Sequence, residues 1–576
     1  MATARRIVLL TFVVLAIGFN LLNPLGEASD EASHFGVIRN YNRWGLLQGG
    51  RQHEAFQPPL YYIIGAILTQ PFDLDEARVR RNPDFSMGDP TSPPNLWIHT
   101  AAEAWPFAPW AWAWHLLRLY STACVFIGLL ATWQLARLAD PSEPLTALLA
   151  VALIGLSPGV LFIAGAVNNE NLTFAVAALA LWQMARIIRG EQDRWTWLLL
   201  GLLLGAGYAT KLSLLTLFLP ATVTWLAHMR RQARLAPRNA ASPLGQAILG
   251  FGLAGGWWTA LLWVNYRQLI GLARTWEMNQ SRHAIPTLME WEGILRHTWQ
   301  SYWLKFLWIE QPSWIYRGLL IIPLLALVGW GTLAARRELR GRGWMLAMLL
   351  AQALATLGAW IVWTINVPGT AQARLFSPAF PALATLTAMG LVHLWPRPRT
   401  RAAVTAAVCL TLAALSGWTV FVTLPAHFAP PPMEPAPSTL PQVTFGGELG
   451  LDYAIALEAD PLQPGHRIEI DTRWRALTSI DRDLWVQFKL QPIDGDPVVV
   501  DFGSPSRGVL TTDRWPTDRL IRAIHIITVP DGTPTGTYRL IASVRPPDGE
   551  AWLPVLVDGH VIGEEVVLME MAVVRP

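Results

Sequence analysis

Cysteine is nearly absent: the 576-residue chain has two, Cys124 and Cys409. Both fall inside apolar runs, which argues against a disulfide framework and against a cysteine metal site. Charge is scarce too. Charged residues make up 15% of the chain and the formal net charge is +3, against 52% hydrophobic residues. No basic face suited to nucleic acid stands out, and the composition is far from that of a soluble domain. Neither internal repeats nor breaks near the middle of the apolar segments are evident, which counts against a secondary-transporter plan.

Long apolar sequence is what the chain has instead. Stretches near the bilayer-spanning length of about 20 residues recur over 7–22, 113–135, 145–165, 172–188, 195–209, 212–227, 247–264, 318–334, 344–365, 375–394 and 402–424. They predict an α-helical polytopic membrane domain with about 11 transmembrane helices. Among the 30 Trp, Trp105, Trp110, Trp112, Trp114, Trp291, Trp299, Trp303, Trp308 and Trp314 are expected to form an interfacial belt.

Arginine placement orients these spans, because short cytoplasmic loops collect positive charge. Arg5 and Arg6, Arg137, Arg186 to Arg194, Arg230 to Arg238, Arg336 to Arg342, and Arg397 to Arg401 fall on one side, read as cytoplasmic. The opposite side receives the 27–110 loop, the Asn168-Asn169-Glu170-Asn171 turn, the 266–314 loop, 366–374 and the C-terminus. The expected location is the plasma (inner) membrane, multi-pass, with the C-terminal domain extracytoplasmic. A cleaved signal peptide is the alternative for the first apolar run, but its length and the arginine alternation favour a retained span.

After the last span the chain changes character. Residues 426–441 form a Pro-rich linker, stiff and extended. Short alternating runs such as Arg467-Ile468-Glu469-Ile470-Asp471 and Leu484-Trp485-Val486-Gln487-Phe488 read as half-buried strands. Turn pairs such as Asp494-Gly495, Asp531-Gly532 and Asp558-Gly559 punctuate them. The expected plan is a membrane domain over 1–425 with its large loop at 27–110, the linker, and an antiparallel β-sandwich over 442–576.

The run Glu27-Ala28-Ser29-Asp30-Glu31-Ala32-Ser33-His34 begins where the first span ends. A helical step of about 100° puts Glu27, Asp30, Glu31 and His34 on one face. Titratable groups at a membrane boundary point to catalysis or ligand binding. The alternative is structural: with Ser29 as N-cap, Asp30 and Glu31 complement the helix dipole.

The chain resembles the GT-C superfamily of polytopic glycosyltransferases, in particular the lipid-carrier-dependent branch of protein mannosyltransferases and the aminoarabinose transferase. The resemblance rests on Asp30-Glu31 after the first span, on Pro58-Pro59-Leu60-Tyr61-Tyr62, on Gly205-Ala206-Gly207-Tyr208-Ala209-Thr210-Lys211, and on Gln372-Ala373-Arg374-Leu375-Phe376-Ser377-Pro378. Ala373 and Leu375 depart from the family's Gly and Tyr, and Glu170 stands where related proteins often carry Asp. The resemblance covers about the first 425 residues. It implies transfer of a sugar from a polyprenyl-phosphate donor to an extracytoplasmic glycan, lipid or protein acceptor.

That chemistry requires a carboxylate to take the acceptor's proton and cations to stabilise the departing phosphate. Asp30 is the expected base, with Glu31 orienting the acceptor or a divalent metal. His34, His53, Glu54, Gln57, Tyr61, Lys211 and Arg374 are the expected substrate-binding residues. Snorkelling to the headgroups is the competing account of Lys211 and Arg374. Membrane lipids are the expected surroundings, nucleic acid is not an expected partner, and a lipid or sugar transporter is the alternative function.

Overall fold

The computed structural model describes the chain except for residues 46–53, 55, 78, 233–240, 304, 306–308, 337, 338, 340, 458–461, 550, 575 and 576. Two compact units emerge, one from Met1–Glu76 with Trp112–Pro425 and one from Ala77–Ala111 with Ala426–Pro576. The helices in chain order are α1 (Ala2–Leu22), α2 (Glu31–Trp44), α3 (Leu60–Thr69), α4 (Pro109–Ala139), α5 (Pro144–Gly155), α6 (Pro158–Ala164), α7 (Glu170–Arg189), α8 (Thr196–Thr210), α9 (Phe218–Gln232), α10 (Ala241–Tyr266), α11 (Leu272–Met278), α12 (Leu288–Trp303), α13 (Ser313–Leu319), α14 (Ile321–Ala335), α15 (Gly343–Asn366), α16 (Phe380–Leu394) and α17 (Pro398–Trp418). Short 3-10 turns over Leu212–Leu217 and Ala373–Ala379 lead into α9 and α16.

Each expected apolar stretch is helical, but the count differs. Among the described residues nine helices are long and apolar enough to cross a membrane, or ten if α5 and α6 form one broken span. The stretch over 145–165 is bent by 64°, because Pro158 at the start of α6 cannot continue the hydrogen bonding of α5. α8 has 15 residues, a rise of about 22 Å against a hydrocarbon core of about 30 Å.

α8 sits against α10 at backbone distance. A Cβ added to Gly205 would lie 2.6 Å from the Phe251 carbonyl oxygen, and one on Gly255 would lie 2.8 Å from that of Gly205. Gly201 and Gly250 meet the opposing backbone as closely. Small residues are needed here because packing, rather than a hydrophobic driving force, associates helices within a lipid. Leu200 and Leu204 of α8 join a buried cluster with Leu181 and Met184 of α7, Met348 and Leu349 of α15, and Met389 of α16. Several expected belt tryptophans are interior: Trp114 is 1%, Trp303 2% and Trp110 5% exposed. Trp105 and Trp314 remain exposed, and Trp308 lies outside the described residues.

In the second unit the strands are β1 (Met433–Pro435), β2 (Val443–Phe445), β3 (Leu449–Ala456), β4 (Arg467–Ala476), β5 (Trp485–Pro492), β6 (Val498–Gly503), β7 (Arg519–Thr528), β8 (Gly536–Arg545), β9 (Val555–Val557), β10 (His560–Gly563) and β11 (Val566–Val573). They form a seven-stranded sheet, β1-β7-β4-β3-β2-β9-β10, and a four-stranded sheet, β11-β8-β5-β6. Alternate residues of both sheets fill one core, among them Ile468, Ile470 and Trp474 from β4, and Val486, Phe488 and Leu490 from β5. β1 arises inside the Pro-rich stretch as an edge strand on β7, a place where proline's missing N–H is tolerated. Asp558 and Gly559, both at positive φ, turn β9 into β10 as a tight hairpin requires.

Residues 77–111 pack onto these sheets. Asn82 Nδ2 donates to the Arg507 carbonyl at 3.1 Å, Asn95 Nδ2 to that of Gly508 at 2.7 Å, and Thr511 Oγ1 to that of His99 at 2.9 Å. Two carboxylates at this seam are perturbed. Burial, with Asp501 nearby, pushes Asp84 up to about 6, and burial pushes Asp483 up to about 7.

Two outcomes follow from this packing. Gly250→Leu should destabilise the helical unit by about 1–3 kcal/mol or more through overpacking, whereas Gly252→Leu, with nothing within 4 Å of its Cβ position, should leave the melting temperature in detergent nearly unchanged; equal effects would refute the close contact. Because the folded values of Asp84 and Asp483 are raised, their stabilising contribution is full below the ordinary 3.8 and is lost as pH rises through about 6 and about 7. Hydrogen-exchange protection of residues 79–104 should therefore weaken from about pH 5 to about pH 8, and Asp483→Asn should reduce that dependence.

Candidate active site

Pro24 stops α1 from continuing, and the chain turns through Gly26 at φ 87° and Asp30 at φ 60° before α2 begins at Glu31. The expected shared helical face is therefore not formed. Glu27 and Asp30 lie ahead of the helix, while Glu31 and His34 sit in its first turn. Asp30, not Ser29, is the N-cap, and its side chain makes no capping bond.

Glu31 is the most enclosed member of the run. Its Oε1 accepts from Trp114 Nε1 at 3.0 Å, Arg118 Nε at 2.7 Å and the Val167 amide at 3.0 Å, while Oε2 accepts from Arg118 Nη2 at 2.7 Å and the Gly26 amide at 3.1 Å. Burial alone would raise its pKa, but the charge and bonds of Arg118, helped by Val167 and Trp114, hold it below the ordinary carboxylate value. Arg118 also donates to the carbonyls of Asn20, Asn23 and Pro24 at 2.7, 2.7 and 2.9 Å. Every Glu31 lone-pair direction is spent on the protein's own structure.

Asp30 is differently placed. Its carboxylate is paired with Arg374 Nη2, and its side chain is 43% exposed against 0% for Glu31. Arg374 donates further to the Ser29 carbonyl at 3.3 Å and to Gln372 Oε1 at 2.7 Å. Residues 344 positions apart thus meet at the end of the bundle where α1 stops.

A second cation stands at the same end. α8 closes at Lys211, whose extended backbone ends the helix. Lys211 Nζ donates to Glu170 Oε1 at 2.5 Å and to Asn169 Oδ1 at 3.3 Å. The other Glu170 oxygen accepts from Ser377 Oγ at 2.5 Å, so Lys211 and Arg374 are tied to one framework through the 3-10 turn over Ala373–Ala379.

Asn169 continues the network. Its Nδ2 donates to Gln57 Oε1 at 2.5 Å and to the Tyr62 hydroxyl at 3.3 Å, and Gln57 Nε2 donates to the buried Glu54. His34 Nδ1 shares a 2.9 Å bond with the Tyr62 hydroxyl, and the two rings stack at 5.8 Å. Burial lowers the His34 pKa, partly countered by Glu54 and Asp30. It is therefore neutral near pH 7.

Of the residues singled out by sequence, Asp30, His34, Glu54, Gln57, Lys211 and Arg374 join this cluster directly. Tyr61 faces a structural contact, bonding Ser121 Oγ at 2.7 Å and the Asn168 amide at 3.0 Å. His53 lies outside the described residues. Arg118, Asn169 and Ser377 were missed. Arg118 carried a usable signal: an arginine well inside an apolar stretch demands a partner. Asn169 and Ser377 carried none beyond their neighbours. Among the described residues no group of three or more His, Cys, Asp or Glu side chains is arranged to hold a metal ion.

The architecture and the cluster define a class: a multi-pass helical membrane protein with paired cations and carboxylates at one end of its bundle and a C-terminal antiparallel β-sandwich. A family model described as dolichyl-phosphate-mannose-protein mannosyltransferase matches residues 114–249, which include Arg118, Glu170 and Lys211. That match covers less than half of the chain. The chain is similar to ArnT from Cupriavidus metallidurans bound to undecaprenyl phosphate, with 14% identity and a TM-score of 0.44 over 73% of this chain and 67% of that one. The apo state of that protein gives 14% identity and a TM-score of 0.42, over 73% of this chain and 66% of the other. The oligosaccharyltransferase of Archaeoglobus fulgidus, in complex with zinc and sulfate, gives 12% and 0.34, over 73% of this chain and 52% of that one. No curated protein matches the chain.

The buried pair at the start of α2 yields a clear expectation. Glu31→Gln strands the Arg118 charge and should cost about 3–5 kcal/mol, read as a lower melting temperature in detergent. Adding Arg118→Met should recover part of that loss. No recovery in the double variant would mean that the pair is not the source of the effect.

Proposed function

We propose that the protein transfers a sugar from a polyprenyl-phosphate-linked donor to an acceptor on the non-cytoplasmic side of the plasma membrane. The observation that carries this reading is the pairing of two cations with two carboxylates, Arg374 with Asp30 and Lys211 with Glu170, at one end of the bundle. The matched family model, described by a dolichyl-phosphate-linked sugar, supports the same donor class. The arginine pattern of the loops supports the side, with the C-terminal domain extracytoplasmic.

In this reading the acceptor hydroxyl attacks the anomeric carbon while the bond from that carbon to the phosphate oxygen breaks. Asp30, the accessible carboxylate, takes the hydroxyl proton. Arg374 and Lys211 stabilise the charge gathering on the leaving phosphate. As the phosphate draws Arg374, the Asp30 carboxylate is released from its partner and becomes a better base. Glu31 acts indirectly: with its oxygens bound to Arg118, Trp114 and two backbone amides, it holds the turn that carries Asp30. His34, neutral and stacked on Tyr62, serves with Asn169, Gln57 and Glu54 as a polar wall for the acceptor or sugar.

The test uses the full chain in proteoliposomes, with release of labelled sugar from a panel of polyprenyl-phosphate donors as the readout. Asp30→Asn should lower turnover by about two to four orders of magnitude while the protein stays folded. Arg374→Lys keeps the charge but loses the planar fork, and should fall well below wild type. Near-normal release by Arg374→Lys and Arg374→Gln alike would reject a phosphate role and leave headgroup snorkelling as the account of Arg374.

A further inference from the structure

The segment that carries Arg374 is held from an unexpected direction. Gln372, the N-cap of the 3-10 turn, provides no side-chain capping bond, so the first amides of that turn need acceptors from elsewhere. The Ala373 amide finds one in Ser301 Oγ at 2.9 Å, on the last turn of α12. The Ser301 hydroxyl proton is spent on the Thr298 carbonyl at 2.9 Å, which leaves an oxygen lone pair aimed at Ala373.

The last turn of α12 is itself fixed. Gly159 of α6 lies so close to the Ser301 and Tyr302 carbonyls that a Cβ there would overlap them. Ser157 Oγ donates to the Tyr302 carbonyl at 2.5 Å, and the Tyr302 hydroxyl donates to that of Leu153 at 2.8 Å. Farther along α12, Trp291 meets Trp360 of α15 edge-on at 5.9 Å, and Trp360 meets Phe376 at 5.1 Å. The same connecting segment grips the chain ahead of Arg374, where the Arg282 amide donates to the Asn366 carbonyl at 2.7 Å and Arg282 Nε to that of Thr364 at 3.1 Å. The break between α5 and α6 therefore seats α12, and α12 seats the backbone from which Arg374 extends.

We propose that Ser301 is a positioning residue for Arg374, setting the direction of its guanidinium through the Ala373 amide; this rests on the phosphate role argued above for Arg374. Ser301 touches no substrate in this scheme. A planar fork gains its advantage over a point charge only when its direction is fixed. Loss of the hydrogen bond that fixes this backbone should thus appear in lipid-phosphate affinity.

The experiment measures undecaprenyl phosphate binding to the full chain in nanodiscs, together with hydrogen exchange at the Ala373 amide without ligand. Ser301→Ala should weaken binding about 3- to 10-fold and speed Ala373 exchange. Ser301→Thr retains the hydroxyl and should restore both. In an Arg374→Gln background, where affinity is already reduced, Ser301→Ala should have no further effect on binding. Unchanged Ala373 exchange in Ser301→Ala, or an equal loss of affinity with and without Arg374, would overturn the positioning role. Full affinity in Arg374→Gln would instead overturn the phosphate reading itself, and the positioning role with it.

Discussion

The contact on which the helical unit's site depends is the buried pair of Glu31 and Arg118. Neither charge would survive alone at this depth, because an unpaired ion away from water costs several kcal/mol. Together they are saturated: the guanidinium satisfies the carboxylate in a fork and also takes three carbonyls at the C-terminal end of α1. Trp114 and the Val167 amide complete the carboxylate's shell. One pair thereby joins the end of α1, the start of α2, the body of α4 and the turn before α7. Its contribution is geometric as much as energetic, since the next residue back is Asp30.

Asp30 shows the consequence. A non-glycine residue at φ 60° costs about 1–2 kcal/mol, and such a conformation persists only where the surroundings over-determine it. Here the neighbouring Glu31 is immobilised and Arg374 draws the Asp30 carboxylate outward. The side chain is consequently free of the capping duty that an aspartate before a helix ordinarily performs. The run that reads as helix-capping carboxylates divides instead into one structural carboxylate and one accessible one.

Lys211 reaches the same end by a different device. Its helix is short, and glycines on α8 and α10 let two backbones touch where side chains would hold them apart. The close backbone contact and the buried cluster around Leu200 and Leu204 place the helix, and its terminal residue falls beside Glu170 at the first turn of α7. Glycine spacing, a proline break and a buried ion pair, none of them reactive, set the positions of the groups that the proposed chemistry uses.

Several features were determined by the sequence alone: a membrane-embedded helical region, its apolar segments, the alternating strands after the Pro-rich stretch, and the end of the bundle to which Asp30, His34, Lys211 and Arg374 belong. These depend on periodicity, length and turn residues within windows of about 20 residues, and local rules decide them. Tertiary structure decided the partners. Glu31 and Arg118 are 87 positions apart and Asp30 and Arg374 are 344 apart, and nothing in the composition of either neighbourhood names the other. The interior place of Trp114, the bend at Pro158, the start of α2 at Glu31 and the grouping of residues 77–111 with the sheets are of the same kind. Which faces meet depends on helix crossing and close packing across the whole fold, and that is settled only when every apolar surface and every buried polar group is satisfied together.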